Sequence, residues 1–353
     1  MGQVLDLDIR YGNLGGYGIG LFCVVGFPGY EVSALVDTGS TSLFFVWKEW
    51  YEREVGVGAC DALAAGCYSC PGIRPPDDPY VIVIEDGMAV GVFNHEDSIK
   101  LGSVQIPRSS FGLICNQYPS PLVEKSISIL GLAPFADGDF DSLLHQLANA
   151  RPKRISSMTF AIYLKNDKFG KLLLGGGDPN LYKNPLRYVS FTSQEEYTVK
   201  LSYMQVGDGR LTIGIDQNVL LDTGSNSMYV PQIYFNGILS EIRSQASNSA
   251  GIEIKFTWDP DWRLYTFSCK QRAHFPAITF YFGAKGEVPL VLLHNNYVRQ
   301  YRTTDQCGVI ISTETSRTEP RWTLPGDAFI GKYFEFHPEK GRVGIANLAI
   351  GVS

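Results

Sequence analysis

The chain has 353 residues, 44% of them hydrophobic and 19% charged, with a formal net charge of -6. That composition is globular and too long for one ordinary core, so two lobes of about 150 to 200 residues each are expected. The acidic balance argues against nucleic acid, whose phosphates need a basic surface, and no apolar run reaches the ~18 residues of a membrane span.

The opening "MGQVLDLDIR" has neither a basic start nor an apolar run and reads as the start of a processed mature domain. Asp6 removes the myristoylation pattern, and no N-x-S/T sequon follows anywhere. Apolar runs rich in Val, Ile, Tyr and Phe then recur between Gly, Pro, Asn and Asp: "GIGLFCVVGFPGYEVSALVD", "YVIVIEDG", "SIKLGSVQIP", "KLLLGGGDPN", "YTVKLSYMQVGDGRLTIG" and "FPAITFYFG". These predict strands and tight turns in a mostly β protein. Helical periodicity is confined to "FDSLLHQLANA" (140–150) and "IYFNGILSEIRSQ" (233–245).

Two segments repeat. "ALVDTGSTSLFF" (34–45) returns as "LLDTGSNSMYV" (220–230), and "ILG" (129–131) is echoed by "LPG" (324–326). The order is the same each time: a strand ending in DTGS, a long β excursion, then an apolar return to glycine. The Gly-, Pro- and Asn-rich stretch 175–191 is the expected boundary, giving lobes 1–190 and 191–353. Seven cysteines include Cys60, Cys67 and Cys70 in "GACDALAAGCYSCPG". They lack a fourth ligand for zinc, so a stapled surface loop is the preferred reading and no metal is expected. Disulfides would place the protein in an oxidising compartment: secreted, or within an acidic vesicle or vacuole of the secretory pathway.

An aspartate closing an apolar strand is expensive to bury without a reason. One D-T-G could simply mark a turn, with Asp bonding its own backbone. Two copies in matching context, one per lobe, are poorly explained that way. The chemical reading is a carboxylate pair: Asp37 and Asp222 at ~3 Å cannot both ionise and share a proton. The ionised member is a general base on a water, and the protonated one bonds the substrate carbonyl. Gly39 and Gly224 let the backbone approach the carboxylates. Ser40 and Ser225 are placed to donate to the outer carboxylate oxygens, and Thr38 and Thr223 to bond across the lobe interface.

These segments resemble the pepsin-like aspartic proteases (family A1). "SISILGLAPF", the run from "FAIYLKNDKFGKLLLGGGDPN" to "YMQVGD", and "TLPGDAFIGKYFEFHPEKGRVGIANLA" extend the likeness over nearly the whole chain. The resemblance implies a bilobal, mostly β fold with two pseudo-symmetric lobes, few short helices and a central cleft for an extended peptide. It implies an aspartic endopeptidase made as a zymogen, monomeric, without cofactor and sensitive to statine-type inhibitors. It further implies a Cys269–Cys307 disulfide, and it puts the Cys60/Cys67/Cys70 loop where the family has its N-lobe disulfide loop.

The departures are specific. The family's flap tyrosine is replaced by Ile84, followed by a Glu85-Asp86-Gly87 turn. Tyr80 is on the same strand face but about 13 Å away at ~3.3 Å per residue. Phe44 replaces a tryptophan behind the flap, Ile127 and Ser128 replace Asp-Gly before "ILG", Ser126 replaces an aromatic wall residue, and Pro325 interrupts the second return. Leu122 and Ile129 are the candidate walls of the pocket on the N-terminal side of the scissile bond. The altered flap supports one rival reading, a catalytically weak or silent homologue that binds a peptide or partner. Other hydrolases lack support: five histidines are scattered, with no HExxH and no GxSxG.

Overall fold

The computed structural model describes residues 3–13, 19–84, 87–134, 141–300, 305–313, 321–349 and 351. It is mostly β and divides into two compact units. Unit 1 comprises Met1–Ala161 and Lys168–Gly177; unit 2 comprises Ile162–Asp167 and Asp178–Ser353. The main division thus falls inside the 175–191 stretch, upstream of 190/191, and residues 162–167 group with the second unit.

Unit 1 is built on β1 (Leu5–Asn13), β2 (Ile19–Phe27), β3 (Tyr30–Asp37), β4 (Leu43–Val46), β5 (Tyr80–Val83), β6 (Ala89–Leu101), β7 (Val104–Tyr118) and β8 (Ile129–Gly131). β9 (Phe160–Leu164) precedes β10 (Phe169–Leu174). The sheet runs β10-β1-β2-β3-β8-β4-β7-β6-β5. Its hairpins turn where glycine can take positive φ: Gly29 (φ 88°) joins β2 to β3, and Gly102 (φ 57°) joins β6 to β7. Burial along β3 changes character. Its first two residues are exposed, and its last four are all buried, so the strand begins at the surface and ends inside the unit.

Unit 2 contains β11 (Arg187–Ser190), β12 (Thr198–Val206), β13 (Leu211–Leu221), β14 (Met228–Tyr229), β15 (Thr257–Asp259), β16 (Leu264–Ser268), β17 (Ile278–Phe282) and β18 (Val288–Leu292). β19 (Val298–Gln300), β20 (Gln306–Val309), β21 (Ile311–Ser312), β22 (Trp322–Leu324), β23 (Lys332–His337) and β24 (Arg342–Asn347) follow. One sheet runs β18-β17-β12-β13-β22-β14-β21, and a smaller one β15-β16-β20-β19. β13 alternates and then likewise ends in buried residues, three of them.

The sequence repeat becomes a repeat of topology. In unit 1, β3 runs parallel to β8, which is antiparallel to β4, itself parallel to β7. In unit 2, β13 runs parallel to β22, which is antiparallel to β14, itself parallel to β21. Both predicted helices form. α2 (Leu143–Asn149) is capped by Ser142, and α3 (Gln232–Ala250) begins after Pro231 and stops at Gly251 in the left-handed region. Helix α1 (Lys48–Val55), which was not anticipated, buries only Trp50 and Tyr51 and ends at Gly56. Only two of its eight residues are buried, so it lacks the apolar content that marks a core-facing helix. Among the described residues no helix is long and apolar enough to cross a membrane.

Candidate active site

Asp37 is the last residue of β3, and Asp222 directly follows β13. They are 9% and 8% exposed, and the threonines after them, Thr38 and Thr223, are 0% and 2% exposed. In each copy the glycine two residues on donates its backbone N–H to the aspartate Oδ1 at 2.8 Å, Gly39 to Asp37 and Gly224 to Asp222. This is the local turn that D-T-G makes anywhere, but a mere turn signal would leave its carboxylate in water. Here both are almost wholly covered, at the desolvation cost that a buried charge carries.

The serines diverge. Ser40 Oγ donates to Asp37 Oδ2 at 2.6 Å, a short charge-assisted bond that fixes the second oxygen. Ser225 Oγ instead donates to the Ser227 carbonyl at 2.9 Å, and a hydroxyl has one proton to give. The expectation that Ser225 serves Asp222 as Ser40 serves Asp37 is therefore corrected. The tetrapeptides are identical, and the first position at which the two loops differ is Thr41 against Asn226.

The first loop is clamped by the chain leaving β8. Gly131 N–H donates to Ser42 O (3.0 Å), Leu132 N–H to Asp37 O (2.8 Å) and Ala133 N–H to Ser40 O (2.9 Å). A β-carbon on Gly131 would meet Ser40 O, Ser42 N and the Thr41 carbonyl carbon at 2.6 Å each, so glycine is required there for close approach. In unit 2, Asp222 N–H donates to Leu324 O (2.9 Å). β22 then stops before Pro325, and the chain turns through Gly326–Phe329. Pro325 has no N–H with which to continue the ladder.

The hairpin of β5 and β6 pairs Tyr80 with Val92 and Val83 with Ala89. Its turn is closed by Gly87 N–H to Ile84 O (3.0 Å) and Ile84 N–H to Met88 O (2.7 Å), with Gly87 at φ 95°. Ile84 and Gly87 thus sit in one turn, while Glu85 and Asp86 lie outside the described residues. The register keeps Tyr80 four residues from the turn.

The two pocket candidates occupy opposite environments. Ile129 is 3% exposed within β8, and Leu122 is 69% exposed in the 120–123 turn. Phe44 is buried in β4. Ser128 takes a structural role, its Oγ accepting from Val46 N–H (3.0 Å) and its carbonyl from Leu35 N–H (2.8 Å). Ser126 Oγ donates to Gln117 Oε1 at 2.5 Å, and Gln117 Nε2 in turn donates to the carbonyls of Pro119 and Glu124. A residue that sequence reasoning passed over is Trp47. It is buried against Phe93 at 5.4 Å between ring centroids, and its indole N–H has no hydrogen-bond partner among the described residues. An indole near the end of a four-residue buried strand reads as ordinary core, so no pattern in the chain marks it.

Cys269 and Cys307 form a disulfide, as do Cys60 and Cys67. Cys23, Cys70 and Cys115 are free thiols. Burial, with Asp8 nearby, pushes the Cys23 thiol up to about 12, so it stays protonated and inert. No group of three or more potential ligands is arranged for a metal ion among the described residues.

Comparison with known proteins places these features in context. The family model described as "Eukaryotic aspartyl protease" matches residues 22–348. Gastricsin of Mus musculus is 25% identical over 339 residues, which cover 91% of this chain and 79% of gastricsin. Cathepsin D of Homo sapiens is 27% identical over 281 residues, 75% of this chain and 63% of cathepsin D. Pregnancy-associated glycoprotein 2 of Bos taurus is 22% identical over 339 residues, 91% of this chain and 80% of its own.

Proposed function

The chain belongs to the eukaryotic aspartyl protease family, and from that premise we propose that it is an aspartic endopeptidase whose catalytic pair is Asp37 and Asp222. The observation that carries this reading is the doubled, buried carboxylate: in each unit an aspartate under a tenth exposed stands at the buried end of a strand, with a glycine N–H held on Oδ1. Nothing in strand packing calls for a carboxylate at either place, and one desolvated carboxylate per unit is what a shared-proton pair needs.

In the mechanism we propose, the pair holds one water and one proton. The ionised member takes a proton from the water as it attacks the scissile carbonyl. The protonated member bonds the carbonyl oxygen, and a proton then passes to the leaving nitrogen. Ser40, donating to Asp37 Oδ2 at 2.6 Å, is proposed to fix the orientation of that carboxyl group. Thr38 and Thr223 are proposed to lock the two loops, and the hairpin turn at Ile84–Gly87 to cover an extended peptide. Leu122 and Ile129 are the proposed pocket walls. The disulfides support a secreted or acidic-vesicle setting.

A second reading, a silent homologue that binds peptide without cutting it, draws on Ile84 in the hairpin turn and on Ser225 turned away toward Ser227. One experiment separates the two. The chain is incubated with an unstructured protein between about pH 3 and pH 6, where a shared-proton pair works, with and without a statine-type inhibitor. Hydrolysis that the inhibitor blocks, and that Asp37→Asn and Asp222→Asn each reduce by about 10²–10⁴-fold, supports the protease. Inhibitor binding without turnover across that range would leave the binding reading standing.

A further inference from the structure

Unit 2 carries a surface cavity of about 440 Å³ whose charged lining is Lys165, Asp167, Lys270, Arg272 and His294. None of these belongs to a DTGS segment. Three separate stretches of chain deliver them: the turn after β9, the 3-10 turn Cys269–His274 and the 3-10 turn His294–Asn296.

The walls are fixed before anything binds. Cys269 is tied to Cys307 by a disulfide, and its N–H donates to Asp305 O at 3.2 Å. Asn296 is 1% exposed, and its Nδ2 donates to the carbonyls of Asp327 (2.8 Å) and Ile330 (2.9 Å), which anchors the turn that presents His294 and Asn295. Arg272 and His294 line the same cavity: burial, and then the neighbouring guanidinium charge, hold the imidazole below its ordinary value. Arg272 Nε is itself buried, with no hydrogen-bond partner among the described residues. A buried guanidinium donor without an acceptor is costly, and a guanidinium beside an imidazole repels it once the imidazole is charged. An anion seated in the cavity that both residues line offsets that repulsion.

Charge sets the class of ligand. Three fixed cations line the cavity against one carboxylate, Asp167; Lys270 leans only loosely on Asp305, at 3.8 Å. Asn166 and Asn295 add polar groups to the same lining. We propose that this cavity is a binding site for a doubly charged tetrahedral oxyanion, phosphate or sulfate, held by Arg272 with Lys165 and Lys270 neutralising its charge.

The test uses the full chain and inorganic phosphate or sulfate as probes, titrated at pH 7.5 against sodium chloride of equal ionic strength. Calorimetry and the thermal unfolding midpoint are the readouts. A saturable heat and a rising midpoint with phosphate and sulfate, absent with chloride, are expected. Lys270→Gln, at an 84% exposed side chain where folding is not at stake, and Arg272→Gln should each weaken binding by about 10-fold or more. Lys200→Gln, at a lysine paired with Asp216 elsewhere in the unit, should leave it unchanged. O-phosphoserine distinguishes the sources: tighter binding than inorganic phosphate indicates a monoester ligand, weaker binding a free ion, and both fit the site. No saturable response beyond chloride, or full affinity retained in Lys270→Gln and Arg272→Gln, would overturn the proposal.

Discussion

Replacing Gly131 with alanine asks directly how the first aspartate is positioned. The added β-carbon would stand 2.6 Å from three backbone atoms of the Ser40–Ser42 loop, whereas unstrained contact begins near ~3.5 Å. The loop therefore has to withdraw by roughly 0.9 Å. Flexible side chains are not available to absorb this, because every atom met is main chain. The same movement stretches the three hydrogen bonds from residues 131, 132 and 133 to Ser42, Asp37 and Ser40. Overpacking of this kind costs about 1–3 kcal/mol, and weakened hydrogen bonds add about 1 kcal/mol more, for a total of about 2–4 kcal/mol. With 353 residues at about 2.1 cal/mol/K each, unfolding entropy is ~0.74 kcal/mol/K and the midpoint should fall by ~3–5 °C. Activity should fall further than stability, since ~1 Å of misplacement at a catalytic group costs on the order of 10²-fold. Circular dichroism melting and initial rates at one acidic pH measure the two effects separately. A variant that melts within about 1 °C of wild type and cuts at the wild-type rate would refute the clamp.

Three further outcomes follow from the same geometry. Ser40→Ala removes the 2.6 Å donor to Asp37 Oδ2 and should lower kcat by about 10-fold or more, as for a charged hydrogen bond of about 1.5–3 kcal/mol. Ser225→Ala loses only a bond to the Ser227 carbonyl and should be several-fold milder; equal effects in steady-state kinetics would contradict the asymmetry. Ile84→Tyr places a phenol in the hairpin turn and should raise kcat/KM on a peptide substrate, with no change expected in the melting midpoint; an unchanged kcat/KM would count against the turn as a lid. Burial pushes the Glu335 carboxyl up, but hydrogen bonds from His337 (2.7 Å) and Tyr333 (2.9 Å) outweigh it and hold the group below the ordinary carboxylate range. A depressed folded value gives stability that is fully present above the unfolded value of about 4.3 and lost as pH falls through the folded one. Glu335→Gln should therefore lower the urea midpoint clearly at pH 6 and progressively less below about pH 4; a penalty that grows on acidification would reverse the sign.

What the chain discloses before folding depends on whether an interaction is local or conditional on partners far along it. Strands, hairpin turns and the repeated DTGS were legible because alternation, glycine at positive φ and an Asp–Gly turn are settled within a few residues. The parallel pairing of Asp37 with Gly131 left only a trace, the "ILG" that returns much later, and its echo "LPG" concealed a real difference: proline ends β22 and the chain turns aside. The serines make the point more sharply. Ser40 and Ser225 stand in identical tetrapeptides, yet one reaches a carboxylate and the other a main-chain carbonyl. A hydroxyl's choice of acceptor is set by loop geometry worth only about 1 kcal/mol, which sequence identity over four positions does not fix. Burial of the aspartates is another matter. Covering a carboxyl group without partners costs more than that, so the fold carries it in both units only where the surrounding strands are committed to it. That is why the position of the two carboxyl groups was readable from the repeat, while the finer network around them depends on loop packing that the repeat does not encode.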